Sequence, residues 1–255
     1  MSALDRFSRD GSLLLGGGRA ILLQVADPVV GVAVADHSDF SRQPVRRLHN
    51  TLTFVYGVML GTPEQAAAVA RLTARAHAAI PGGDDPHRQL WVAATLYDTA
   101  VRVYERLHGP LDPTDAELVL AAYATLGTSL EVPLELWPAS RAEFDAYWVD
   151  AVARLEVGPA GRRVAHDLFH PASAPLWLRA ALPLAELLTA SLLPPTLRAA
   201  YGLRWSPCRR RRARLAWGVV RLAARVLPDR LLAAPSRYYL RRLRGLMDSP
   251  PRCAS

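Results

Sequence analysis

TPEQAAAVARLTARAHAAIPGG, residues 62–83, carries its own start and stop signals and sets the pattern that recurs along the chain. Thr62 can cap a helix, Pro63 suits its first turn, and Gln65 is placed to close a capping box. Ala66, Val69, Ala70, Thr73, Ala76, His77 and Ile80 recur at the three-and-four spacing of one helical face, with Glu64, Arg71 and Arg75 opposite. Pro81, Gly82 and Gly83 end the helix. His77 is therefore expected in a buried stripe. Ala66, Ala70, Ala74 and Ala76 cover the backbone thinly there, so a flat bulky group could lie against it.

The flanking segments offer neighbours. Upstream, Arg47, Asn50, Thr51, Phe54 and Val58 share one helical face, which points a guanidinium, an amide and a hydroxyl the same way at the start of an apolar helix. Burying such a trio without partners is costly. Downstream, Asp85 caps and Pro86 opens a helix whose inward face reads Leu90, Trp91, Ala94, Tyr97, Asp98 and Val101. Asp98 needs a donor there, and Arg47 or His77 can supply one. The plainer alternative is a satisfied core histidine beside a structural Arg47–Asp98 pair, because a single histidine names no metal.

Helix follows helix elsewhere. Thr114 with Glu117 and Ser140 with Glu143 form two more capping-box pairs, and the second opens a helix with Phe144, Tyr147, Trp148 and Val152 at core spacing. Residues 176–193 read as a buried helix kinked at Pro183. Gly16, Gly17, Gly18 and Arg19 precede an apolar run without a phosphate-loop pattern, so close helix packing is the better reading. The turn at residues 36–40 suits a helix cap better than a metal site, since adjacent ligands splay apart. His166 and His170 are four apart but lack the acid of a zinc motif and read as helix-end residues. No strand-like alternation or internal repeat is present. The expectation is an all-α protein: one large helical domain over residues 1–247 with a buried pocket, and a disordered tail over 248–255.

With 255 residues and 51% hydrophobic content, the chain can bury a sizeable core. Its 31 basic residues are all Arg against 23 acidic ones, for a net charge of +8, so no lysine can act as nucleophile or ligand. Cys208 and Cys253 support neither a disulfide framework nor a zinc site. No signal peptide or convincing membrane span is legible, which makes a reducing cytoplasm the expected compartment. Arginines concentrate after Arg198; between Ser206 and Arg244 they alternate with Trp217, Val219, Val220, Leu222, Val226 and Leu227. Such a basic amphipathic segment suits the solvated face of a packed helix or the surface of an anionic membrane. No nucleic-acid recognition module is present, and nucleic acid is not an expected partner.

A group of motifs carries a family resemblance: LLLGGGRAILLQVADP at 13–28, DHSDF at 36–40, RRLHNTL at 46–52, HAAIPG at 77–82, DPHRQLWVAATLYDT at 85–99, LEVPLELWP at 130–138 and SLLPPTLRAAYGLRW at 191–205. In this order they resemble the MpaB oxygenase family, which shares its catalytic domain with the latex-clearing rubber oxygenases. The resemblance implies an all-helical fold holding haem b and an oxygenase that uses dioxygen on a small, apolar, unsaturated substrate. It assigns His77 as the iron ligand, with Arg47 and Thr51 as the polar pair of the preceding helix and Asn50 beside them. A neutral imidazole serves as such a ligand when its other ring nitrogen is held by an acceptor, which Asp98 or a backbone carbonyl can provide. Arg47 then pairs with a propionate or polarises dioxygen. Three positions depart from the family pattern: Asn50 at an often basic site, Asp27 where a histidine is expected, and Ala93 in place of a frequent histidine. These departures motivate the alternative of a non-catalytic helical protein binding a lipid or apolar ligand at a membrane surface.

Overall fold

The longest helix, Pro86–His108, forms where Asp85 accepts the backbone N–H groups of His87 and Arg88 through one carboxylate oxygen, at 2.9 and 3.0 Å. It is buried on nearly every side from Gln89 to Val103, so the other helices are arranged around it. The computed structural model describes residues 2–37, 44–171 and 175–248. Within them the α-helices run α1 (Ala3–Arg9), α2 (Gly17–Gln24), α3 (Pro28–His37), α4 (Pro44–Leu60), α5 (Pro63–Ala78), α6 (Pro86–His108) and α7 (Pro113–Thr128). They continue as α8 (Arg141–Ala153), α9 (Pro159–Phe169), α10 (Leu176–Leu192), α11 (Pro195–Ala200), α12 (Pro207–Val226), α13 (Asp229–Leu232) and α14 (Ala234–Asp248). Short 3-10 turns occupy Gly11–Gly16 and Leu134–Leu136, and the described residues contain no strand. The fold is all-α, as the spacing predicts. The expected tail lies outside the described residues from 249 onward, as does most of the 36–40 turn.

Around α6 pack α2 and the Gly11–Gly16 turn, α7 and α12. Glycine permits the closest of these approaches: a Cβ at Gly16 would stand 2.4 Å from Thr99 Cγ2, and one at Gly18 2.3 Å from Thr189 Oγ1. The Gly16–Gly18 run is thus a packing surface. An aromatic layer fills the space between α6, α7 and α8. Trp91 stacks on Trp148 with centroids 5.4 Å apart, and Tyr97 meets Phe144 edge-on at 4.6 Å. Two of its indoles donate to backbone, Trp91 Nε1 to the Leu23 carbonyl at 3.3 Å and Trp137 Nε1 to the Leu120 carbonyl at 3.1 Å. Such bonds lower the cost of burying the polar tips of aromatic side chains.

Two local expectations change. The cap of α7 is Asp112, which accepts from Thr114 N at 2.9 Å; Glu117 reaches across to the backbone N–H of Arg141 instead. A carboxylate two residues ahead of Thr114 captures the same orphan donors first. α10 is buried only in its second half, from Leu188 to Leu192, while Leu176 and Leu184 are exposed.

Candidate functional site

α4 and α5 form a helical hairpin closed by the two-residue turn at Gly61 and Thr62. The capping box is fully formed: Thr62 Oγ1 accepts from Gln65 N at 3.3 Å, and Gln65 Oε1 accepts from Thr62 N at 3.0 Å. The helices meet where Gly57 faces Val69, and a Cβ on Gly57 would come within 2.9 Å of that side chain. This chain reversal sets the C-terminal turns of α5, carrying Thr73 and His77, beside the N-terminal turns of α4, carrying Asn50 and Thr51. The side chain of Arg47 lies outside the described residues, so only its place on α4 is defined.

The burial pattern corrects one expectation. His77 and Thr73 are half-buried, Ala74 and Ala76 are exposed, and Asn50 and Thr51 face solvent, with half-buried Phe54 and Val58 behind them. The candidate residues occupy the open end of the hairpin, where an interior pocket was expected. α4 and, to a lesser extent, α14 pack against α5, and a stripe built from alanine has little area with which to recruit another neighbour. Within this half-open setting the Nδ1 of His77 is shielded from solvent. The far side of α4 is anchored by Leu52 and Tyr56 against Tyr239 of α14, and the Tyr239 hydroxyl meets His49 Nδ1 at 2.6 Å.

Asp98 belongs elsewhere. Its carboxylate pairs with the guanidinium of Arg19, a residue only 1% exposed, and accepts from Arg102 Nε at 2.9 Å. Arg19 further donates to the Leu192 carbonyl at 2.9 Å and to Thr99 Oγ1 at 2.7 Å, and lies 5.6 Å from the centroid of the Trp148 ring. Burial pulls the Arg19 pKa below its ordinary value, and the adjacent Asp98 charge opposes that shift. The carboxylate offered above as a partner for Arg47 or His77 thus clamps α6 to α2 and α10. Arg19 does not stand out in the sequence as a site, because it follows three glycines and precedes an apolar run that together read as close helix packing. The available signal was one unpaired cation in an apolar segment and one unpaired carboxylate among aromatics.

Two of the three departures from the family pattern, Asp27 and Ala93, have structural roles. Asp27 caps α3, its Oδ1 accepting from Val29 N and Val30 N at 2.9 Å each. Ala93 lies in the main core. His166 and His170 stack 4.8 Å apart at the end of α9, and among the described residues no three His, Cys, Asp or Glu side chains converge as a protein-built metal site requires. A cleft of about 580 Å³ opens beside the Asp98 clamp, lined by Arg19, Arg102, Glu105, Arg106 and residues 191–195, with no contribution from α4 or α5.

Comparison with known proteins adds a family. The model of the ER-bound oxygenase mpaB/B′ and rubber oxygenase catalytic domain matches residues 5–224. Two uncharacterised proteins, from Mycobacterium bovis and Mycobacterium tuberculosis, are each 33% identical over 234 residues, covering 86% of this chain and 92% of their own. No solved structure matches.

Proposed function

The chain belongs to the catalytic-domain family of the ER-bound oxygenase mpaB and rubber oxygenase, and we propose that it is a haem b-dependent oxygenase that acts on an apolar, unsaturated substrate. The observation that carries this reading is His77: one imidazole at the open end of the α4–α5 hairpin, its Nδ1 shielded, on a face of small side chains. A single imidazole is a donor set that haem would accept: the macrocycle would supply four nitrogens to the iron, and His77 would be the residue that holds it. When bound, haem supplies an iron centre that activates dioxygen.

The residues of the chain then have separable tasks. His77 offers Nε2 as the ligand, with Nδ1 turned away from solvent. Asn50 and Thr51 present an amide and a hydroxyl from the adjoining turns of α4, where they can orient dioxygen or an oxidised product by hydrogen bonding. Arg47, one turn earlier, carries the charge suited to a propionate or to polarising dioxygen. Phe54 and Val58, half-buried against the main core, give the same face of α4 an apolar character suited to the substrate. Asp98 acts at a distance, by fixing α6 against α2.

The test is oxygen transfer. Haem-loaded protein incubated with squalene under ¹⁸O₂ is expected to give products that carry the label, at a rate reduced about 10²-fold or more in Thr51→Ala. Products whose oxygen comes only from water, or none from any unsaturated apolar probe, would contradict the assignment.

A further inference from the structure

α12 has two apolar faces, and the fold uses one. Ala213, Trp217 and Ala224 are buried against the body, where Trp217 Nε1 donates to Ser191 Oγ at 2.9 Å. On the opposite side Leu215, Val219, Leu222 and Val226 are 64%, 69%, 64% and 73% exposed. Their spacing of four, three and four places them on one line along the helix. Leu227 and Leu231 carry the exposed apolar surface past its end. Scattered apolar side chains on a surface need no explanation, but an aligned row of this length does.

The charges beside the row indicate what covers it. α12 contains seven arginines and no acidic residue. Two of them hold the helix in place, Arg209 through Glu186 at 2.7 Å and Arg221 through the Arg106 carbonyl at 3.1 Å. Arg211, Arg212, Arg214 and Arg225 are exposed and have no ion-pair partner among the described residues. By helical position Arg211 and Arg212 flank the apolar row, and Arg214 and Arg225 extend its positive edge. An apolar line bordered by unpaired guanidinium groups is complementary to a bilayer surface with anionic headgroups: leucine and valine enter the acyl boundary while arginine stays at the phosphates. No single described helix is long and apolar enough to cross a membrane.

We propose that the outer face of α12 is a docking surface for anionic lipid bilayers, with Leu215, Val219, Leu222 and Val226 inserted and Arg211, Arg212, Arg214 and Arg225 at the headgroups. The proposal goes beyond the catalytic reading and does not depend on haem. It is tested on the full chain by co-sedimentation with phosphatidylcholine vesicles containing or lacking phosphatidylglycerol. Binding is expected only to the anionic vesicles and weakens steeply with added salt. Leu215→Ser with Leu222→Ser, and separately Arg211→Gln with Arg214→Gln and Arg225→Gln, should each weaken it about tenfold or more. The midpoint of thermal unfolding should stay at the wild-type value, because none of these side chains touches the core. The proposal is overturned by absent binding to anionic vesicles or by stripe variants that bind like the wild type. A monomer–dimer equilibrium abolished by Leu215→Ser with Leu222→Ser, without lipid binding, would assign the face to a second copy instead.

Discussion

Removing the carboxylate of Asp98 should be among the most damaging single changes available in this chain. Asp98→Leu leaves the Arg19 guanidinium 1% exposed with only Thr99 Oγ1 and the Leu192 carbonyl as acceptors. An ion stranded in this way costs about 3–5 kcal/mol. The contribution of Arg102 is small by comparison, because its side chain is 50% exposed and solvent screens it. For a chain of this size each kcal/mol lowers the unfolding midpoint by about 2–4 °C, so a fall of about 6–20 °C is expected. Arg19→Met added to Asp98→Leu removes the stranded charge, leaving chiefly the Leu192 carbonyl unpaired at about 1–3 kcal/mol. The double variant should therefore be more stable than Asp98→Leu alone. Thermal unfolding followed by circular dichroism reads both. A single substitution costing under about 1 kcal/mol, or a double variant showing the sum of the two single losses, would refute the clamp.

Two further outcomes follow from packing. Tyr56, Tyr97, Tyr123 and Tyr201 all have their pKa raised by burial, so above the ordinary tyrosine value of about 10 the unfolded chain binds fewer protons than the folded one. Their contribution is complete below that pH and lost as pH rises past it, and urea midpoints should fall from about pH 10 upward; a flat profile there would contradict the burial of these phenols. Gly161→Ala should destabilise by about 1–3 kcal/mol despite the better helix propensity of alanine. A Cβ at that position would stand 2.5 Å from the Val25 backbone carbonyl, which cannot move away like a side chain, and an unchanged midpoint would show that α9 can shift.

What the sequence made legible was local. The Thr62–Gln65 box and the Asp85–Pro86 start are contacts within three residues and formed as the spacing indicates, whereas of the Ser140–Glu143 box only the Ser140 cap formed, Glu143 accepting from Ala139 N instead. What it left open was choice among distant partners. Asp98 and Arg19 are 79 residues apart, and helical spacing, which offered Arg47 or His77 as the donor, carries no information on which distant helix packs against that face. α5 was ambiguous for a different reason: an alanine stripe signals close packing or simple exposure, and only the neighbours decide. In α12 the periodicity registered one apolar stripe where the fold makes two, with Trp217 inside and Val219, Leu222 and Val226 outside. Arg209, one of four consecutive arginines, was indistinguishable from the others until Glu186 of α10 came beside it.

The absorption spectrum of the purified chain reconstituted with haem b, set beside that of His77→Ala, tests the role of His77 without any knowledge of the substrate. Near-stoichiometric haem with a Soret band is expected in the wild type. In His77→Ala the band should be lost or displaced, while the far-ultraviolet circular dichroism stays unchanged, since the residue is only half-buried on a peripheral helix. A wild-type chain that shows no Soret band, or one whose band is the same in His77→Ala, would remove His77 as the iron ligand and the proposed chemistry with it.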